Sequence, residues 1–221
     1  MEARLARLDS DRPGHAWLTS MNITSWGALR EAIKHAESHL VVVQETKLPK
    51  ARLSEASQSM ARQGWKLVAA PAAYKHSGLS GGCAILAKGH VDVWHKPGEE
   101  DVFPGRAVAA HVRLPRLGLI TVYSVYLAVE GAAQALEINS QVFKALVTHM
   151  MGHRQPWICM GDWNMDPQQV RLLPWVQRAG AVVLAPGAAT CHTPGCDNVR
   201  DFAVMDIKLA LVQEGATSRA T

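Results

Sequence analysis

The run His39-Leu40-Val41-Val42-Val43-Gln44-Glu45 constrains this chain more than any other segment. Its apolar residues are consecutive and mostly β-branched, with no polar residue between them. A strand of that kind is covered on both faces, because one open face would impose apolar–polar alternation. Pro156-Trp157-Ile158-Cys159-Met160-Gly161 reads the same way. Amphipathic stretches lie between such runs. In 25–38, Trp26, Leu29, Ile33 and Ala36 recur at helical spacing behind Ser25, a plausible N-cap. The pattern predicts a layered α/β domain with helices outside sheets.

The remaining segments extend that reading. Strands are expected over 17–23, 65–71, 83–88, about 91–95, 181–185 and 202–212. Residues 107–114 and 119–127 read as a hairpin turning at Pro115–Gly118. A helix over about 51–63 stops at Gly64, and Tyr74 to Gly82 reads as a Gly/Ser loop. The clearest helix is 133–151, with Leu136, Val142, Phe143, Leu146, Val147 and Met150 as its apolar stripe. Asp166-Pro167 opens another helix that Pro174 kinks or splits and Gly180 ends. No linker divides the chain, so one domain is expected over 1–221, with its core in about 17–212.

The 221 residues are 48% apolar and 19% charged, a globular composition, and the net charge of +4 suits a phosphate-bearing partner without requiring one. Cys83 and Cys159 sit inside apolar runs, where a free thiol behaves as a small hydrophobe. Cys191, His192 and Cys196 offer zinc-type ligands but have no matching second cluster, so a surface loop is the competing reading. The N-terminus has no apolar core of a secretory signal, and no apolar run approaches the ~20 residues that span a bilayer. An intracellular protein outside the membrane is expected.

Several apolar strands end in polar residues. Asn22 lies near the end of the first, Glu45 ends the LVVVQ run, and Tyr126 ends LITVYSVY. Asp162 follows WICMG, with Asn164 two residues on. Groups at the ends of neighbouring strands converge on rigid support, and carboxylate, amide and phenol are what phosphoester chemistry needs. Each also has an ordinary reading: a strand-end carboxylate for Glu45, a turn for Asp162 and Asn164, a core rim for Tyr126, a solvated cation for Arg106.

In order and spacing, Asn22 in MNITSW, Gln44-Glu45-Thr46-Lys47 and Gly161-Asp162-Trp163-Asn164 resemble successive motifs of the endonuclease/exonuclease/phosphatase superfamily. The QETK form is similar to the exonuclease III and apurinic endonuclease branch and to non-LTR retrotransposon endonucleases. Ser80-Gly81-Gly82, Gly105-Arg106, Thr190 and Asn198-Val199-Arg200-Asp201-Phe202 fall where that family has like features.

The resemblance implies a DNase I-like α/β-sandwich of two mostly antiparallel sheets flanked by helices. It implies a Mg²⁺- or Mn²⁺-dependent phosphodiesterase acting on nucleic acid, DNA first. Glu45 would hold the metal, and Asp162 would orient or deprotonate the attacking water. Asn164 and Tyr126 would hydrogen-bond phosphate oxygens, Asn22 would fix the metal ligand or the phosphate, and Arg106 would contact substrate. Asp201 would orient a catalytic histidine.

The chain departs from the family pattern in two places. Thr24 stands where many relatives have Asp, and no terminal Ser-Asp-His occurs, so the family's last strand is expected to be missing. A catalytically impaired copy, or a phosphatase of the same superfamily on a non-nucleic-acid substrate, are the alternatives this leaves. His192 is the nearest upstream histidine to the Asp201 motif that could stand in.

Overall fold

The computed structural model describes residues 16–23, 25–75, 78–95, 101–114, 117–129, 131–132, 134–193 and 196–210. Strand β1 (Leu18–Asn22) leads into helix α1 (Trp26–Ala32), which Ser25 caps by accepting a hydrogen bond from the Ala28 amide at 3.3 Å. Strand β2 (Leu40–Gln44) is buried along its whole length, as its unbroken apolar run requires. Helix α2 (Leu53–Arg62) ends before Gly64, whose φ of +80° reverses the chain into β3 (Trp65–Ala70). A small hairpin, β4 (Ala73–Lys75) and β5 (Gly78–Ser80), precedes β6 (Cys83–Lys88) and β7 (Asp92–Trp94).

The second half contains β8 (Ala107–Leu114), β9 (Gly118–Tyr126), α3 (Ala135–Gly152) and β10 (Trp157–Asp162). Helices α4 (Pro167–Arg171) and α5 (Pro174–Arg178) follow, each with a proline in its first turn. Then come β11 (Val182–Leu184), a hairpin of β12 (Cys191–Thr193) and β13 (Cys196–Asn198), β14 (Asp201–Met205) and the short α6 (Ile207–Ala210).

The strands form two principal sheets, of order β1-β2-β6-β3 and β11-β14-β10-β9-β8-β7. Only the β1–β2 and β9–β10 pairings within them are parallel. Leu40, Val42 and Ile85 of the first sheet pack against Val108, Ala110, Val122 and Met160 of the second, forming the central core. On the outer face of the first sheet, Val41 and Val43 meet Leu29, Ile33 and Met60 of the helical layer. On the outer face of the second, Tyr123, Val125 and Cys159 meet Val142, Leu146, Val170 and Trp175. The result is the expected α/β-sandwich, four layers deep, with both sheets mostly antiparallel. Cys83 and Cys159 are buried free thiols within it.

Four expectations need correction. The strand placed at 202–212 ends at Met205: Asp206 Oδ1 accepts from the Lys208 amide at 2.9 Å and turns the chain into α6. Residues 211–212 lie outside the described residues. The helix over 25–38 tightens into a 3₁₀ turn at Ile33–His35 and is extended by Ala36. The stretch 74–82 is not all loop, because Ala73–Lys75 pairs with Gly78–Ser80. Leu136 leaves the apolar stripe of α3 and is 89% exposed; the buried line runs through Ala135, Val142 and Leu146, one helical step away. Among the described residues, no helix is long and apolar enough to cross a membrane.

Candidate active site

Strand register builds the site. In the second sheet Asp162 lies opposite Tyr126 on one side and opposite Asp201 on the other, so three neighbouring strands bring a phenol and two carboxyls together. In the first sheet the parallel β1–β2 pair sets Asn22 beside Gln44, immediately before Glu45. The two sheets meet where Asn22 Nδ2 donates to Asp162 Oδ2 at 2.7 Å. Asn22, Glu45, Tyr126, Asp162 and Asp201 therefore occupy one end of the sandwich, although they span most of the sequence.

Glu45 is held in an unusual backbone state. Its φ is +56°, and Lys47 has φ +49°, a region non-glycine residues seldom occupy. The turn is fixed from below: the Thr46 amide donates to Gly82 O and the Lys47 amide to Gly81 O, at 3.1 and 3.0 Å. Gly82 has φ +90°, and a Cβ there would lie 2.4 Å from Thr46 Oγ1. The Ser80-Gly81-Gly82 sequence thus has a physical role, which is to let two backbones close under Glu45. The Glu45 carboxylate is 27% exposed, and Lys47 Nζ stands 3.9 Å away.

Asn164 also takes a positive φ, +45°, which its amide tolerates. Its backbone N–H donates to Asp162 Oδ1 at 3.0 Å and its Nδ2 to Leu127 O at 3.0 Å, so the amide nitrogen faces the protein backbone. Trp163 stacks on Phe202 with centroids 5.4 Å apart and donates from Nε1 to Phe202 O at 2.9 Å, locking the turn after β10. The Arg106 guanidinium lies 4.6 Å from the Tyr126 ring centroid, with Nη1 3.4 Å from Tyr126 O. The structure thus places Arg106 against a site residue.

Burial dominates the electrostatics. It raises the Asp162 carboxyl to about 7, with Asp201 and Glu45 adding repulsion and the Asn164 amide and Asn22 partly offsetting them. Burial raises Asp201 to about 6 against the opposing Thr190 hydroxyl. Asp201 Oδ1 is buried without a hydrogen-bond partner among the described residues. Tyr126 is pushed well above the usual phenol value by burial and the Glu45 carboxylate, so it stays a neutral donor. Together these groups offer a base poised near neutrality, a phenol donor, and hard oxygen ligands in the Glu45 carboxylate and Asn22 amide.

Among the described residues, no three His, Cys, Asp or Glu side chains are grouped so as to hold a metal by themselves. A Mg²⁺ site needs no such group, since the ion keeps several waters and takes one or two carboxylates. The Cys191, His192 and Cys196 side chains lie outside the described residues; their backbone forms the β12–β13 hairpin. Thr190, already marked by the family resemblance, and two residues not singled out from sequence, Ser20 and Ser124, contribute. Thr190 Oγ1 accepts from the amides of Arg200 and Asp201 at 2.8 and 2.9 Å. Ser20 and Ser124 are buried beneath the site. Their signal was available: each is a small hydroxyl in an apolar run, two residues before Asn22 or Tyr126 and on the same strand face.

Solved structures share this architecture. The endonuclease domain of TRAS1, a telomere-specific non-LTR retrotransposon, matches with TM-score 0.64 at 17% identity, covering 92% of this chain and 89% of that one. The AP endonuclease LMAP from Leishmania major matches with TM-score 0.63 at 14% identity, covering 88% and 80%. The Xenopus laevis APE2 catalytic domain gives 0.63 at 15%, covering 91% and 88%. No curated protein sequence matches this chain. These structural likenesses are of fold. Residues 25–203 match the Endonuclease/Exonuclease/phosphatase family, and the chain belongs to it.

Proposed function

We propose that this protein is a divalent-metal-dependent phosphodiesterase that hydrolyses the DNA backbone. The observation that carries the reading is the Asn22–Asp162 hydrogen bond, because it joins the metal-ligand half of the site to the proton-transfer half. Asp162, with a carboxyl near neutrality, accepts the proton of a water whose oxygen bonds to phosphorus. The P–O bond to the leaving oxygen breaks opposite that water. Tyr126 keeps its proton and donates to a phosphate oxygen as charge builds there.

Asn164, through its backbone N–H, holds Asp162 in position for this step. Asp201 supplies a buried acceptor beside it that keeps Asp162 basic. Glu45 is the residue to hold Mg²⁺ or Mn²⁺, with Asn22 presenting its carbonyl oxygen, since its amide nitrogen is committed to Asp162. When bound, such an ion neutralises phosphate charge and stabilises the leaving oxygen.

The choice of DNA is supported by the similar structures, which include AP endonucleases, a retrotransposon endonuclease domain and a Neisseria 3′ phosphatase bound to a product DNA hairpin. Lys47, beside Glu45, and Arg106, beside Tyr126, supply cationic charge for a phosphate chain. The test is nicking of supercoiled plasmid with Mg²⁺, Mn²⁺ or EDTA, beside Glu45→Ala and Asp162→Ala. Metal-dependent nicking lost in both variants is expected. Release of phosphate from small phosphomonoesters without nicking would place the activity among the phosphatases. Absence of both in folded protein would sink the proposal.

A further inference from the structure

Directly below the site, the apolar core between the sheets is interrupted by a chain of polar groups that runs in one direction. Ser20 Oγ donates to Gln44 Oε1 at 3.4 Å, Gln44 Nε2 donates to Ser124 Oγ at 3.2 Å, and Ser124 Oγ donates to Val43 O at 2.8 Å. All three side chains are fully buried. Buried polar groups are costly unless satisfied, and apolar contacts would fill this layer with less risk. Their placement gives the reason. Ser20 is two residues before Asn22 on β1, Ser124 two before Tyr126 on β9, and Gln44 immediately before Glu45 on β2. Each strand thus puts one member in the chain and one residue in the site above it.

The site straddles two sheets, and the core between them is mostly dispersion contact, which is strong but non-directional. A directional link between β2 and β9 fixes what packing leaves soft, namely how far one sheet end slides past the other. We infer that Gln44, bridged between Ser20 and Ser124, is a positioning residue that sets the distance between the Glu45 side of the site and the Tyr126–Asp162 side. This rests on the catalytic reading above but adds a residue whose side chain touches no reacting group.

The experiment compares Gln44→Met, which keeps volume and removes the amide, with Ser124→Ala and the double variant. Expected is a loss of about 10- to 100-fold in kcat, with DNA KM little changed and more Mn²⁺ needed for half-maximal rate. The double variant should lose no more than the worse single one, whereas two independent packing losses would add. Crystal structures of the metal-free variants read the geometry without turnover: the Asn22 Nδ2–Asp162 Oδ2 distance, 2.7 Å in the wild type, should lengthen in either single variant. If Gln44→Met does not fold, Ser124→Ala carries both readouts. A wild type that does not cleave would refute the catalytic reading, and the distances would then decide this one. A distance that stays at the wild-type value in folded variants would overturn the inference, as would an unchanged kcat and Mn²⁺ requirement in a cleaving enzyme.

Discussion

Asn22 and Asp162 are 140 residues apart in sequence, sit on different sheets, and share a 2.7 Å hydrogen bond from amide to carboxylate. That bond favours the charged carboxylate, so it opposes the burial that raises Asp162 to about 7. Removing it with Asn22→Leu should move the Asp162 midpoint further up. The pH–rate profile should then shift to higher pH, with activity lost more at pH 6 than at pH 9. A parallel loss at every pH would mean that Asn22 acts on substrate or metal alone.

A second expectation concerns stability. The folded Asp162 holds its proton up to about 7, while the unfolded chain releases it near the ordinary 3.8. Between those values the folded state binds more protons, so stability is fullest below about pH 4 and declines as pH rises to about 7. At about 1.4 kcal/mol per pH unit, the loss for this carboxyl is on the order of 4 kcal/mol. Asp162→Asn should flatten the decline and raise the metal-free Tm at pH 8 but not at pH 4, while abolishing cleavage. Calorimetry across pH checks this.

At Gly161 of β10 the backbone of β9 leaves no room for a side chain. A Cβ there would lie 1.9 Å from Val125 O, with both groups on strand backbone that cannot yield. Gly161→Ala should cost about 3 kcal/mol or more. Gly152, the last residue of α3, has open space around its missing Cβ. Gly152→Ala should be neutral or stabilise by up to ~1 kcal/mol. Urea unfolding of the pair tests the contrast.

Arg106 stacks on Tyr126 as well as bringing a cation to the candidate site. Arg106→Lys keeps the charge and loses the planar contact, worth roughly 0.5–2 kcal/mol. Expected is a fall in kcat of several-fold to about thirtyfold with a smaller change in KM. A rise in KM alone would mean that Arg106 acts on substrate binding and not through Tyr126.

Much of this was legible from residues. The LVVVQ and WICMG runs declared buried strands, and the polar residues that end them proved to share one end of the fold. What sequence hid were relationships between distant strands. Nothing in MNITSW says that Asn22 will face Asp162, because sheet order is a tertiary property. The 3₁₀ turn after α1 and the helical α6 went unread for a related reason. Local propensity there is weak, and Asp206 imposes a turn on an apolar stretch that alternates like a strand. Leu136 misled because periodicity marks a broad stripe without saying which edge of it faces the sheet: Ala135, in the same turn, is buried.

The two-sheet construction also has a temporal consequence. Asn22 and Glu45 come early in the chain, Tyr126 past its middle, and Asp162 and Asp201 late. As the protein leaves the ribosome, the amino-terminal sheet can close on its own helices while it holds only half of the chemistry. The nascent chain cannot assemble the candidate site until β10 and β14 have emerged and docked, so the site forms only once both sheets are in place.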